Sequence, residues 1–128
     1  MQDRPTSTEL LDAIERFLRN QSAAQTDRWL RFQLLVCANS LGIVKRELNQ
    51  EETNVRREWL DIDRLLEPQP MPPKFGETVD ALRARNATLC DAIRAGDFDD
   101  PEREKALTAF FAEEVRARVA ISAPGELD

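Results

Sequence analysis

The fold is decided by the stretch Leu30-Arg31-Phe32-Gln33-Leu34-Leu35-Val36-Cys37-Ala38-Asn39-Ser40-Leu41-Gly42-Ile43-Val44-Lys45-Arg46-Glu47-Leu48. Leu30, Leu34, Cys37, Leu41, Val44 and Leu48 recur at alternating steps of four and three, the seam spacing of a helix that packs against another helix. Phe32, Val36 and Ile43 add a second apolar flank. Two such stripes imply a helix packed on more than one side, so this stretch reads as the central helix of an all-α protein. No segment alternates with a period of two, and no sheet is expected.

Upstream, Thr6-Ser7-Thr8-Glu9 has the form of a capping box, in which hydroxyl and carboxylate each satisfy the other residue's amide. Leu10, Leu11, Ile14, Phe17 and Leu18 then share one helical face. Asp12 with Arg16 and Glu15 with Arg19 are well-oriented (i, i+4) pairs on the wet side. Asn20-Gln21-Ser22 closes this helix, and the central helix starts after Thr26 or Asp27. Downstream, the same frame continues through Val55, Trp59, Ile62 and Leu66. The polar stretch 49–54 holds poor helix formers, which favours a break and a separate third helix over one long rod.

Pro68, Pro70, Pro72 and Pro73, with Gly76, mark a loop that cannot be helical. It is either a partner-facing segment or a simple crossover. The next helix runs from about Glu77 or Thr78 to Ala95, with Val79, Leu82, Leu89 and Ile93 on its core face. Gly96 supplies its left-handed stop. Asp100 and Pro101 cap and open a last helix, whose Leu107, Phe110, Phe111, Val115 and Val119 face the core. The expected architecture is an all-α single compact bundle of four to five helices, one domain over 1–121, with 122–128 fraying as a tail.

Composition excludes several chemistries. The 128 residues carry 24 acidic and 18 basic side chains, a formal charge of −6, no histidine and no tyrosine. Without histidine there is no Ser-His-Asp or Cys-His machinery and no imidazole acid–base. Four scattered glycines cannot form a phosphate-cradling loop or a dinucleotide fingerprint. The acidic balance argues against nucleic acid and against an anionic membrane surface. Cys37 and Cys90 each lie in an apolar helical stretch and read as buried, reduced thiols. The lead Met1-Gln2-Asp3-Arg4-Pro5 has no apolar signal core, and no stretch approaches the ~20 apolar residues of a membrane span. A cytoplasmic protein is expected, without a cofactor.

Three groups of residues invite a chemical reading. Asp97, Asp99 and Asp100 suggest calcium, but counting from Asp97 the positions that need Gly and Glu hold Glu102 and Thr108, so the segment reads as a capped turn. Glu47, Glu51, Glu58 and Asp61 could supply oxygen ligands to Mg²⁺ in a small nucleotide hydrolase. No doubled Glu-Glu-x-x-Glu motif accompanies them. Asn39 falls on the apolar flank of the central helix, and Asn86 between Leu82 and Leu89. A buried amide costs stability unless paired, so these two either fix helix register or line a small polar pocket.

The chain also resembles a known group of proteins. The likeness is carried by Arg4-Pro5-Thr6 with Glu9-Leu10-Leu11, by Leu30-Arg31-Phe32, Ala38-Asn39, Ile43-Val44 and Arg46-Glu47-Leu48, by Leu89 through Gly96, and by Val115 through Ala120. Together these look like a small bacterial helical family of unknown function. Its members occur beside, or fused to, aminoglycoside-phosphotransferase-like proteins, with acyl-CoA-dehydrogenase-like enzymes as common neighbours. A histidine often follows the family's central phenylalanine. Here that position is Gln33, a departure that favours a binding or structural role. The resemblance implies a setting rather than an activity. The expected function is a non-catalytic accessory module that binds a phosphotransferase-like or acyl-CoA-processing enzyme, or self-associates. The carboxylate-metal hydrolase and a small-ligand-binding domain are the alternatives.

Overall fold

A computed structural model describes residues 3–128. Met1 and Gln2, part of the polar lead, lie outside the described residues. Among these, four α-helices and one short 3-10 helix make up the regular structure, and no strand occurs. They are α1 (Ser7–Ala24), α2 (Arg28–Leu65), α3 (Phe75–Arg94), α4 (Pro101–Ser122) and the 3-10 helix Pro124–Leu127. The protein is all-α, as the periodicity implies.

The helix ends follow local chemistry. Glu9 N donates to the Thr6 hydroxyl at 3.2 Å, and Thr6 N donates to the Glu9 carboxylate at 2.8 Å, closing the capping box at α1. Leu30 N donates to Asp27 Oδ1 at 2.9 Å at the start of α2. Gly96, at φ 85, ends α3 in the left-handed conformation. Asp100 caps α4, accepting from Arg103 N at 3.0 Å, and Pro101 opens the first turn. α3 begins at Phe75, so Gly76 lies inside its first turn rather than in the loop. Past Ser122, where fraying is expected, Glu126 N donates to Ala123 O and a 3-10 turn forms.

One expectation is overturned. The polar stretch 49–54 does not break the chain into two helices: α2 is continuous over 38 residues. Asn, Thr and Gln cost a helix only tenths of a kcal/mol each. Neither Gly nor Pro stands between Ile43 and Leu65, and the Arg56–Glu52 pair, at 2.9 Å, supports the turn. The stretch marks a different boundary. Contacts divide the chain into two compact units, Met1–Gln50 and Glu51–Asp128. Packing changes partners there, although the helix does not stop.

The first unit is a two-helix hairpin of α1 and the leading part of α2. Ser22 and Ala38 are buried in it. Lys45 Nζ bonds Asp12 at 3.0 Å and Glu15 at 2.8 Å, and Thr8 bonds Asn49 at 3.1 Å. The second unit holds the hydrophobic core, built from Trp59, Ile62 and Leu65 of α2, Leu82 and Leu89 of α3, Phe98 of the turn and Phe110 of α4. Phe111 and Val115, expected in that core, are exposed. Cys37 and Cys90, expected to be buried, are exposed free thiols.

The proline segment between α2 and α3 is tied down from several sides. The Trp59 indole N–H donates to Gln69 O at 3.1 Å, and Thr78, itself buried, donates its hydroxyl to Pro72 O at 3.0 Å. Arg85 lies beneath this segment, 4% exposed. It donates to Asp63 at 2.6 Å and to Glu67 O at 3.1 Å, and its guanidinium sits 4.6 Å from the Trp59 ring centroid.

Candidate functional site

The most distinctive surface belongs to the hairpin. Of the fifteen large apolar side chains exposed among the described residues, ten precede Gln50. Only α1 packs on α2 within this unit, so the apolar stretch that periodicity marks as central is covered along one line alone. Two-sided packing of this stretch is therefore not what the hairpin shows. The line of cover runs through Ala38, Gly42 and Lys45. Gly42 keeps the contact close: a Cβ there would press on the ends of two side chains, Glu15 at 3.3 Å and the Arg46 guanidinium at 3.2 Å.

The two flanks of the hairpin differ. On one, Arg19 donates to Asn39 Oδ1 at 3.2 Å and to Glu15, and Asp12 holds Arg16 at 2.6 Å. Beside these charges on α2 lie Phe32, Val36 and Trp29, the rings of Trp29 and Phe32 stacked at 5.8 Å. At about 100° per residue, the other flank takes Leu10, Ile14 and Phe17 from α1. From α2 it takes the seam Leu30, Leu34, Cys37, Leu41, Val44 and Leu48. Leu34 and Leu41 are half-buried, and the remaining seven residues are exposed. No charged residue interrupts these two rows.

Electrostatics fasten the hairpin rather than activate a group. The hydrogen bond from Lys45 holds the Asp12 carboxyl below its ordinary value, with the Arg16 charge adding to it. Lys45 does the same to Glu15, against the opposing effect of burial. Lys45 is raised in turn, chiefly by its bond to Glu15 and then by that to Asp12.

A second candidate lies in the other unit. Glu58, Asn86, Phe110, Phe111, Glu114, Val115 and Arg118 line a hollow of about 430 Å³. Asn86 Nδ2 donates to Glu58 Oε1 at 2.8 Å, and Arg57 donates to Glu114 at 2.6 Å. Burial pushes the Glu58 carboxyl up. The Asn86 bond opposes this, and the Glu114 charge adds to the rise. The hollow can admit a small apolar group beside a carboxyl that resists ionisation. Its ionisable lining is Glu58, Glu114 and Arg118.

The residues singled out in the sequence are thus distributed. Asn86 is half-buried and lines the hollow; Asn39 is exposed and bonded to Arg19. Each amide closes its hydrogen bond within its own unit. Among the described residues no three Cys, Asp or Glu side chains are grouped to hold a metal. Glu47 and Glu51 are exposed, Glu58 is bonded to Asn86, and Asp61 lies 3.6 Å from Arg57 and 3.7 Å from Arg64. Glu51 and Glu58 stand seven residues apart on one helix, about 10 Å of rise, too far to share one ion. Arg85 and Asp63 escaped sequence reasoning. The available signal was a charge at 85, between Leu82 and Leu89 on the core face of α3, which requires a partner.

Fold and surface together define an all-α protein with an apolar two-helix face. The chain belongs to DUF6285, a domain of unknown function, whose model matches residues 23–125. The match spans α2, α3 and α4 and begins at the end of α1. No curated protein and no solved structure matches the chain. No helix among the described residues is long and apolar enough to cross a membrane.

Proposed function

We propose that this protein is a non-catalytic accessory module of the bacterial cytoplasm that works by docking to other protein. Its setting is a phosphotransferase-like or acyl-CoA-processing system. The observation that carries the reading is the concentration of large apolar side chains on the hairpin. Contiguous apolar surface beyond a few hundred Å² marks an interaction site on a soluble protein. Trp29 and Phe32, the stacked aromatic pair, are the anchors best suited to a partner enzyme, since rigid aromatics supply large contact area at low entropic cost. The family resemblance supplies the setting.

The test is affinity capture of the tagged full chain from host lysate, run beside a Trp29→Asp/Phe32→Asp variant. The expected result is stoichiometric recovery of a phosphotransferase-like or acyl-CoA-dehydrogenase-like protein by the parent chain and its loss with the variant. Recovery of the chain alone, or equal recovery by both, overturns the reading.

A further inference from the structure

We infer that the flank formed by Leu10, Ile14 and Phe17 of α1 and the Leu30–Leu48 seam of α2 docks a second copy of this chain, two hairpins closing into a four-helix bundle. The inference rests on the interaction-module reading and deepens it by naming one occupant. Three observations select a second copy.

The first is spacing. A four-three repeat sustained from Leu30 to Leu48 is the pattern that inserts knobs into holes of a facing helix. α1 does not face this seam, because it lies over Ala38, Gly42 and Lys45. A facing helix must therefore come from outside the hairpin, and a bundle of two antiparallel hairpins is the common way to supply one.

The second is charge. A two-fold interface places each surface against itself, so any net charge on it is repelled. A face without charge is the one on which like-charge repulsion between two copies is least. This flank carries no charge; the hairpin's Asp12, Glu15, Arg16, Arg19 and Lys45 lie on the other flank or in the α1–α2 contact.

The third is area. Phe17 is 61% exposed, Leu48 52%, Leu10 50%, Ile14 49%, Val44 42% and Leu30 41%. With Cys37 and the half-buried members of the seam, these expose at most roughly 700 Å² per copy, an upper bound that approaches the ~800 Å² per partner of a standard interface.

The experiment is the molar mass of the full chain by light scattering at tens of micromolar protein, since interfaces of this size bind at micromolar or tighter. Twice the 14.6 kDa chain mass is expected. Phe17→Glu and Val44→Glu each place a charge on a side chain exposed in the single copy, so far-ultraviolet circular dichroism should be unchanged while the mass halves. Phe32→Glu, on the opposite flank, should keep the doubled mass. Alkylation supplies a second readout: Cys37 lies on the seam and Cys90 does not. The Cys37 rate should fall several-fold relative to Cys90 as protein concentration rises. A single-chain mass in the parent protein overturns the inference. So does a doubled mass that survives both glutamates, or one that Phe32→Glu abolishes equally. None of these results touches the partner capture tested through Trp29 and Phe32, so the two readings fail separately.

Discussion

Replacing Arg85 by Ala should unfold the second unit far more readily than its single charge suggests. Arg85 is 4% exposed, and Asp63, its partner at 2.6 Å, has a side chain 20% exposed. Removing the guanidinium strands a carboxylate that keeps a bond from Gln69 N, at 3.2 Å. It also leaves Glu67 O without its donor and takes the cation from the Trp59 ring. Breaking a buried pair by deleting one partner costs about 3–5 kcal/mol. Partial exposure of Asp63 puts this case near the lower end, about 3 kcal/mol, with the cation–π contact included. At roughly 4 °C per kcal/mol for a chain of this size, Tm should fall by about 12 °C. Urea unfolding followed by Trp59 fluorescence, in a Trp29→Phe background, reads the same loss as a lower midpoint. The double variant Arg85→Met/Asp63→Leu should recover much of it, because replacing both members of a buried pair by apolar groups is often close to neutral. A loss below about 1 kcal/mol for Arg85→Ala, or strictly additive single and double variants, would refute the claim that this pair pins the proline segment.

Three further outcomes follow from the geometry. Thr53→Pro should remove helical signal and cost about 3 kcal/mol, as proline does inside a helix; a neutral result by circular dichroism and urea unfolding would mean that 49–54 is a break after all. Glu58→Gln should raise Tm at neutral pH, since Asn86 can still donate to the amide oxygen while the cost of burying a charge disappears. The sign follows from the raised carboxyl: between the ordinary Glu value and its own, the folded chain holds the proton that the unfolded chain has lost, so Glu58 weakens folding as pH rises through that window. Asp12 and Glu15 are lowered, so their contribution is complete above the ordinary carboxylate range and lost as pH falls through their folded values. The protection factors of the α1 amides, taken against the intrinsic exchange rate at each pH, should therefore fall on acidification, and Lys45→Met should flatten that dependence.

The ends of the helices were legible because each is written in local chemistry: Thr6 with Glu9, Gly96, and Asp100 with Pro101. The continuity of α2 was not. Poor helix formers at 49–54 lower propensity without vetoing a helix, and only Gly or Pro would have stopped one at comparable strength. The location of the core was misread for a different reason. Periodicity reports which residues can be buried together, and burial depends on how many elements come to cover them. The most apolar stretch, around Leu30 to Leu48, receives one covering helix in its unit. The sparser Trp59, Ile62 and Leu65 receive α3, α4 and the Phe98 turn. Of the polar candidates, Asn86 was recognisable by its place on the core face. Its partner Glu58 was weighed only as a metal ligand.

The thin cover over Leu30 to Leu48 bears directly on the proposed function. A chain that places its longest four-three repeat over a single short cover leaves an apolar row facing water, which promotes association or aggregation. A row of this kind is tolerable on a soluble molecule when something regularly occupies it. The second unit shows that the chain can cover apolar residues where it needs to: even its proline segment is fastened by Trp59, Thr78 and Arg85. The hairpin adds a different device, joining α1 to α2 through Lys45, Asp12, Glu15, Thr8 and Asn49 beside the half-buried Leu11, Leu18, Leu34 and Leu41. Because the hairpin is fastened by charges on one side, its leucine seam and the Leu10, Ile14 and Phe17 row stay available on the other. Under the docking proposal the two exposed apolar rows serve the external contact, and the ion pairs with the half-buried leucines serve the internal one.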